Sequence, residues 1–438
     1  MPVTFPGRPK EAFARAGKRL AHDLYNARMN LSRKAPAPVR TGRFLPVELL
    51  PCTAGRRKCA YTLRLEAVLP YFRVPAGNSL AIRKAFLPEW HCFLQGGVCF
   101  NSNATNMDGT SAIKPRLKIF TWHIHGSYLY YLSQGNYDIY IPVNQARTEG
   151  YYGRGKTFPF GANVIEVPAA EVRNMEFDCI LFQSERNFLI DQHDILSDVQ
   201  KRLPRLYVEH NTPERHPTNT RHVMTDPAVT LVHVTHFNKL MWDNGGLPHV
   251  RVIEHGVCIP EISWKGDIPK GIVVINHIQQ RGRITGWDVF EEVRKHVPID
   301  LIGMGTEESG GLGEVLNPQL PGFISRYRFF FNPIRYTSFG LAVCEAMMTG
   351  MPVVAMATTE YVTVIKDGES GFIDTNPDKL IEGMRKLIDD PGLARRMGEN
   401  ARRIAGDRFA IGRFTSEWET IFRETIQLHH HEKENSIY

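Results

Sequence analysis

Residues 329–373 read FFFNPIRYTSFGLAVCEAMMTGMPVVAMATTEYVTVIKDGESGFI. The aromatic run Phe329–Phe331 predicts a buried strand, and Pro333–Ser338 a turn. Phe339-Gly340-Leu341 then opens a helix, with Thr337 or Ser338 suited to the N-cap and Gly350 with Pro352 suited to the stop. A helix start that follows a strand presents unpaired N–H groups and a positive dipole end, a natural seat for a phosphate. Gly340 would let the backbone come close to such a ligand. Glu345 stands seven residues after Ser338, about two turns on and on nearly the same face. Its neighbours Val343, Cys344, Ala346 and Met347 are apolar. A solvated carboxylate suits that company poorly, and one that accepts hydrogen bonds from vicinal ribose hydroxyls suits it well.

Outward from this segment, short apolar runs alternate with amphipathic stretches, the pattern of a parallel α/β sheet. LKIFTWHIHG, YDIYIPV, FDCILFQS, RLYVEHN, VTLVHVT and VRVIEHGV read as strands of a first series, with SYLYYLSQG as a helix. GIVVINH, IDLIGMG, RYRFFFNP and PVVAMA read as strands of a second, and the tail from Asn376 reads as helical. The break between Val257 and Gly271 predicts an α/β fold of two Rossmann-like domains facing across a cleft. The expected division is a first domain over 116–262, a second over 263–408, and a closing helix and tail over 409–438.

The 438 residues are 42% hydrophobic and 23% charged, ordinary globular stock for two or three domains. No apolar run nears the ~18 residues of a membrane span, and the first 30 residues lack the apolar centre of a secretory signal. Seven cysteines, an odd number, make no disulfide framework. The net charge of +7 divides unevenly: residues 1–115 hold 18 Lys and Arg against 6 Asp and Glu, the remainder 35 against 40. The basic balance belongs to one end of the chain and gives no ground for nucleic-acid binding.

Residues 1–115 read as a poorly structured basic leader. Within them, 9–34 sets Phe13, Leu20 and Leu24 on a rough stripe, readable as a membrane-surface or targeting helix but better as a loose leader. The stretch 95–113 reads as a linker. Cys52/Cys59 and Cys92/Cys99 leave six residues between partners, wider than usual zinc spacings. Starting at Met107 would leave 332 residues, a natural size for two such domains, so the leader is readable as upstream sequence joined by a misplaced start.

Phe339-Gly340-Leu341, Glu345-Ala346 and Gly350-Met351-Pro352-Val353-Val354-Ala355 together resemble the donor-site signature of family-4-type retaining glycosyltransferases of the GT-B fold. DGESGFI, DDPGLARRMGENARR and VRVIEHGV resemble further segments of that family, and the likeness runs from about Leu117 to about Ile426. It implies a donor site of Thr337, Ser338, Phe339, Gly340, Leu341 and Glu345. Two departures stand out. Thr337 occupies the place of the first carboxylate of the family's pair. The family's phosphate-binding Lys has Arg281 or Arg283 in its neighbourhood, and spacing leaves the choice open; either guanidinium could pair bidentately with a diphosphate.

In the first half, His123, His125 and Gly126 lie at a strand-to-helix turn that would face the crevice of an open sheet, on the acceptor side. His210 ends another strand, where the resemblance implies an acceptor-side histidine; it joins Arg281 and Arg283 as a catalytic candidate. No metal-ligand pattern is visible, and the expected cofactor list is empty. The function implied is transfer of a sugar from a nucleotide-diphosphate sugar to a saccharide or lipid-linked acceptor, with retention and without metal. The implied place is the cytoplasm, with at most peripheral contact at the inner membrane face. A silent sugar-nucleotide-binding protein, or a GT-B epimerase or hydrolase, is the alternative.

Overall fold

The structure, a computed structural model, describes residues 115–259 and 261–435. The expectations for the leader, its amphipathic stretch, its linker, its four cysteines and Met107 lie outside the described residues.

The first sheet has seven strands: β1 (Leu117–Thr121), β2 (Tyr137–Val143), β3 (Val164–Pro168), β4 (Cys179–Phe182), β5 (Arg205–Glu209), β6 (Val229–His233) and β7 (Val250–Val252). They lie in the order β3-β2-β1-β4-β5-β6-β7, every neighbouring pair parallel. The second sheet has β8 (Ile268–Val274), β9 (Ile299–Ile302), β10 (Tyr327–Asn332), β11 (Val353–Met356) and β12 (Gly371–Asp374) in the order β12-β11-β10-β8-β9, again all parallel. Parallel strands need both faces covered. The central strands accordingly read as mostly apolar runs, and every residue of β4, β6, β10 and β11 is buried, Thr230, His233, Arg328 and Asn332 included.

Each order reverses direction once, between β1 and β4 in the first sheet and between β8 and β10 in the second. Ligands of open α/β sheets bind at the carboxyl ends of the strands beside such a reversal. The residues leaving β1 are His123–Gly126. Those leaving β8 and β10 are the segments with Arg281 and with Thr337–Leu341. The topology therefore brings the main candidates to the two places a ligand would be sought.

The two halves are tied at their crossing. Val257 N–H donates to Phe409 O at 3.0 Å, beside a parallel bridge between Val257 and Ala410. Arg408 grips the Glu254 carboxylate through Nε at 3.0 Å and also through Nη2. Arg413 donates to the carbonyls of Glu254 and His255 at 2.8 and 2.6 Å. The closing helix Ile411–Asn435 then crosses back onto the first half. Trp418 Nε1 donates to Tyr128 Oη at 3.1 Å, and the Phe422 ring meets Tyr137 edge to face. No helix among the described residues is long and apolar enough to cross a membrane.

Candidate active site

A cavity of about 540 Å³ opens between the halves. His123, His125, Gly126 and Tyr128 form part of one wall; Asn276, Asn317, Leu341, Ala342 and Glu345 stand on the other. Of the predicted residues, His123, His125, Gly126, Leu341 and Glu345 meet here.

The helix that carries Glu345 runs Leu341–Thr349, with Gly340 as N-cap and Gly350 at φ 92° as the left-handed stop. The stop falls where expected; the cap does not. Ser338 and Thr337 are occupied otherwise: Ser338 Oγ accepts from Asn238 Nδ2 at 3.0 Å, and Thr337 Oγ1 donates to Ser338 O at 3.0 Å. Ser338 thus precedes the helix and does not share a helical face with Glu345. Without a side-chain cap, the N–H groups of Leu341 and Ala342 have no partner within the helix, and both residues line the cavity. A Cβ built on Gly340 would meet nothing within 4 Å, so the backbone there borders open space. Phe339, in contrast, is a core residue: its ring lies 4.8 Å from that of Tyr361 and 5.5 Å from that of Phe409.

Glu345 is only 2% exposed. Its Oε1 accepts from Tyr131 Oη at 2.6 Å and from Asn317 Nδ2 at 3.4 Å, the first across the two halves. Among the described residues Oε2 has no partner. Burial pushes the carboxyl up to about 7, against the Tyr131 hydrogen bond that favours the charged form. Tyr131 and Asn317 were invisible to sequence reasoning because each acts through a contact between distant parts of the chain.

The two candidate arginines separate. Arg283 Nη1 is held by Asp288 at 2.5 Å, and Asp288 is also clasped by both Arg335 Nη atoms at 2.5 and 2.8 Å. Arg281 ends the one-turn helix Ile278–Arg281 after β8, and its guanidinium makes no hydrogen bond or ion pair among the described residues. Arg281 is the unpaired cation of the two, with the Glu214 carboxylate as its charged neighbour, and neither arginine lines the cavity.

On the opposite wall, His123 Nδ1–H donates to Gly153 O at 2.5 Å, leaving Nε2 as an acceptor. His210 is not on the wall. It sits behind His125, ring centroids 4.2 Å apart, with Tyr128 at 4.5 Å and, among the described residues, no partner for its buried Nε2. His255, which sequence reasoning passed over, joins them against Tyr128 and donates Nε2–H to Phe339 O at 2.8 Å. Burial lowers all three: His125 and His255 to about 4, and His210 well below its ordinary value with help from the two neighbouring rings. All three are neutral at pH 7. Among the described residues no group of three or more His, Cys, Asp or Glu side chains is gathered to hold a metal ion.

Residues 311–404 match the family model described as glycosyl transferases group 1. The chain is 31% identical over 131 residues to sucrose synthase of Denitrovibrio acetiphilus, covering 27% of this chain and 16% of that protein. It is 32% identical over 117 residues to a lipopolysaccharide core mannosyltransferase of Rhizobium leguminosarum, covering 26% of this chain and 33% of that one. The chain thus spans a third or less of the length of these curated relatives. Among solved structures, sucrose-phosphate synthase from Thermosynechococcus elongatus superposes with TM-score 0.52 at 13% identity, over 72% of this chain and all of that one. HepE of Anabaena, solved with UDP and glucose, gives TM-score 0.52 at 13% identity over 70% of this chain and all of its own. These likenesses establish the fold.

Proposed function

We propose that this chain, whose residues 311–404 match the group 1 glycosyl transferases and whose fold is GT-B, moves a hexose from a nucleotide-diphosphate sugar to a saccharide or lipid-linked acceptor, with retention and without a metal ion. The donor lies along the second half. Glu345 Oε2 accepts the ribose hydroxyls, and the open N–H groups of Leu341 and Ala342 with their helix dipole take the diphosphate. Arg281 pairs with the departing diphosphate and offsets the charge that grows as the C1–O bond breaks. The acceptor lies against His123, His125 and Gly126. Its hydroxyl oxygen bonds to C1 on the face the diphosphate leaves, and the leaving phosphate oxygen takes the hydroxyl proton. His125 and the Nε2 of His123, both lowered by burial, orient that hydroxyl as neutral acceptors. His210 backs His125 and sets its ring; Thr337 contributes a hydroxyl where the resemblance implies a carboxylate. Contact between the halves keeps water from the reacting carbon.

The observation that carries this reading is Glu345: a buried carboxylate with one oxygen fixed and the other open to the cavity, beside an uncapped helix start. Thermal unfolding of the full chain with UDP-, GDP- and ADP-sugars, with and without EDTA, tests it. One donor should raise the Tm equally in both conditions, and Glu345→Ala should abolish the rise. A shift that needs a divalent ion, or one that survives Glu345→Ala, contradicts it.

A further inference from the structure

The connection between β2 and β3 departs from the rest of the fold. These neighbouring parallel strands are joined by residues 144–163, with no crossover helix. Irregular loops longer than about 12–15 residues are uncommon inside compact domains and are usually functional. This one is tightly built. Gly150 and Tyr152 bridge to His123 and Val143, and His123 clamps Gly153 O. Arg147 is held at φ 49°, in the left-handed region that non-glycine residues rarely adopt.

The loop forms one side of a second cavity of about 740 Å³. Arg147, Arg154 and Lys156 line it, and it runs into the main cleft through His123, Tyr152 and Phe158, which line both. One carboxylate, Glu166, also lines it. That carboxylate is already engaged: its Oε1 accepts from Arg147 Nη1 at 3.1 Å and Arg154 N at 2.6 Å. Arg147 spends Nη1 again on Tyr152 O at 2.7 Å, and Arg154 spends Nη2 on Phe160 O. These bonds hold the two guanidinium groups in place while their other N–H donors have no partner among the described residues. Lys156 Nζ has no partner among the described residues. Three cations against one satisfied carboxylate leave a positive excess beside the acceptor wall.

We propose that this cavity binds an anionic group, phosphate or carboxylate, carried by a saccharide acceptor, with Lys156 and the free donors of Arg154 and Arg147 as its partners. The inference rests on the transferase reading and narrows its acceptor class. Bidentate guanidinium contacts and a point-charge ammonium are what such groups take.

The test is calorimetric titration of the full chain, saturated with the nucleotide that stabilises it. The probes are glucose 6-phosphate, glucose 1-phosphate, glucuronate and neutral glucose, with vesicles containing phosphatidylglycerol as a separate arm. At least one anionic saccharide should bind at least about tenfold tighter than glucose, the span of one charged hydrogen bond. That binding should weaken with salt. Lys156→Ala, at an exposed and unpaired position, should remove most of the preference, and Arg154→Lys part of it, with the nucleotide Tm shift unchanged. Equal binding of glucose and its anionic derivatives, no effect of Lys156→Ala, or binding to vesicles alone would each overturn the proposal while the donor shift leaves the transferase reading standing. Loss of the donor shift itself in the wild-type chain would sink that reading first.

Discussion

Glu345 shows what a single buried carboxylate can and cannot do. Its ordinary solution value is 4.5 and burial lifts it to about 7, so near neutral pH it is divided between acid and carboxylate. Only the carboxylate accepts from two hydroxyls, so nucleotide affinity should rise with pH through about 7. Tyr131, Cys258 and Cys344 are its titratable neighbours, all three shifted upward and all uncharged across that range. Glu345→Gln should flatten the pH dependence and weaken nucleotide binding about tenfold or more, the scale of a charged hydrogen bond. Titrations at pH 6, 7 and 8 check both effects; an unchanged slope in the variant would remove Glu345 from the donor site. The arginines make a second contrast. Arg281→Ala should lower kcat by about 10²-fold, the cost of losing one transition-state charge donor, and Arg283→Ala should leave kcat near wild type. Steady-state rates on the two variants decide, and a larger loss at Arg283 would reverse the assignment.

Most strands were legible because parallel strands buried on both faces are written as short, mostly apolar runs. YDIYIPV is β2 residue for residue, and RYRFFFNP contains the central β10. The two strands that were missed, β3 and β12, lie at sheet edges. Only two of five residues in β3 and one of four in β12 are buried, so neither carries a strong pattern. The N-cap was misread for a different reason. Thr337 and Ser338 have the right chemistry, but Asn238 from the other half takes the Ser338 hydroxyl, a contact no local rule contains. The closing helix was legible as a helix and not as a strap: nothing in FTSEWETIFRETI says that Trp418 meets Tyr128. Trp418 is wholly buried, and Trp418→Ala should cost about 3–5 kcal/mol of stability. Chemical denaturation measures it, and a loss under about 1 kcal/mol would mean the strap adds little.

Across the molecule, both topological reversals face one cleft, and the tie of Glu254 to Arg408 and Arg413 sets how the walls meet. The histidines near that tie give the assembly an acid weakness. His125 and His255 are held near 4 and His210 is also lowered, whereas unfolded imidazoles titrate near 6.5. Between those values the unfolded chain binds more protons, so stability is full above about 6.5 and declines as pH falls toward 4. Glu345 acts in the opposite sense between 4.5 and about 7, one carboxyl against these three rings and those of His123 and His233, which burial also lowers. Calorimetric scans from pH 7.5 to 4.5 should show the Tm falling; a flat profile would mean the rings are solvated.

The most direct test of the central claim is transfer itself, with and without EDTA, on the full chain and on Glu345→Ala. The donor is the nucleotide sugar that raises the Tm, and the acceptors are saccharides; NMR reads the anomeric configuration of the product. The account predicts a product that keeps the donor's anomeric configuration, formed equally in EDTA and lost in the variant. An inverted product, a requirement for metal, or undiminished turnover in the variant would contradict it.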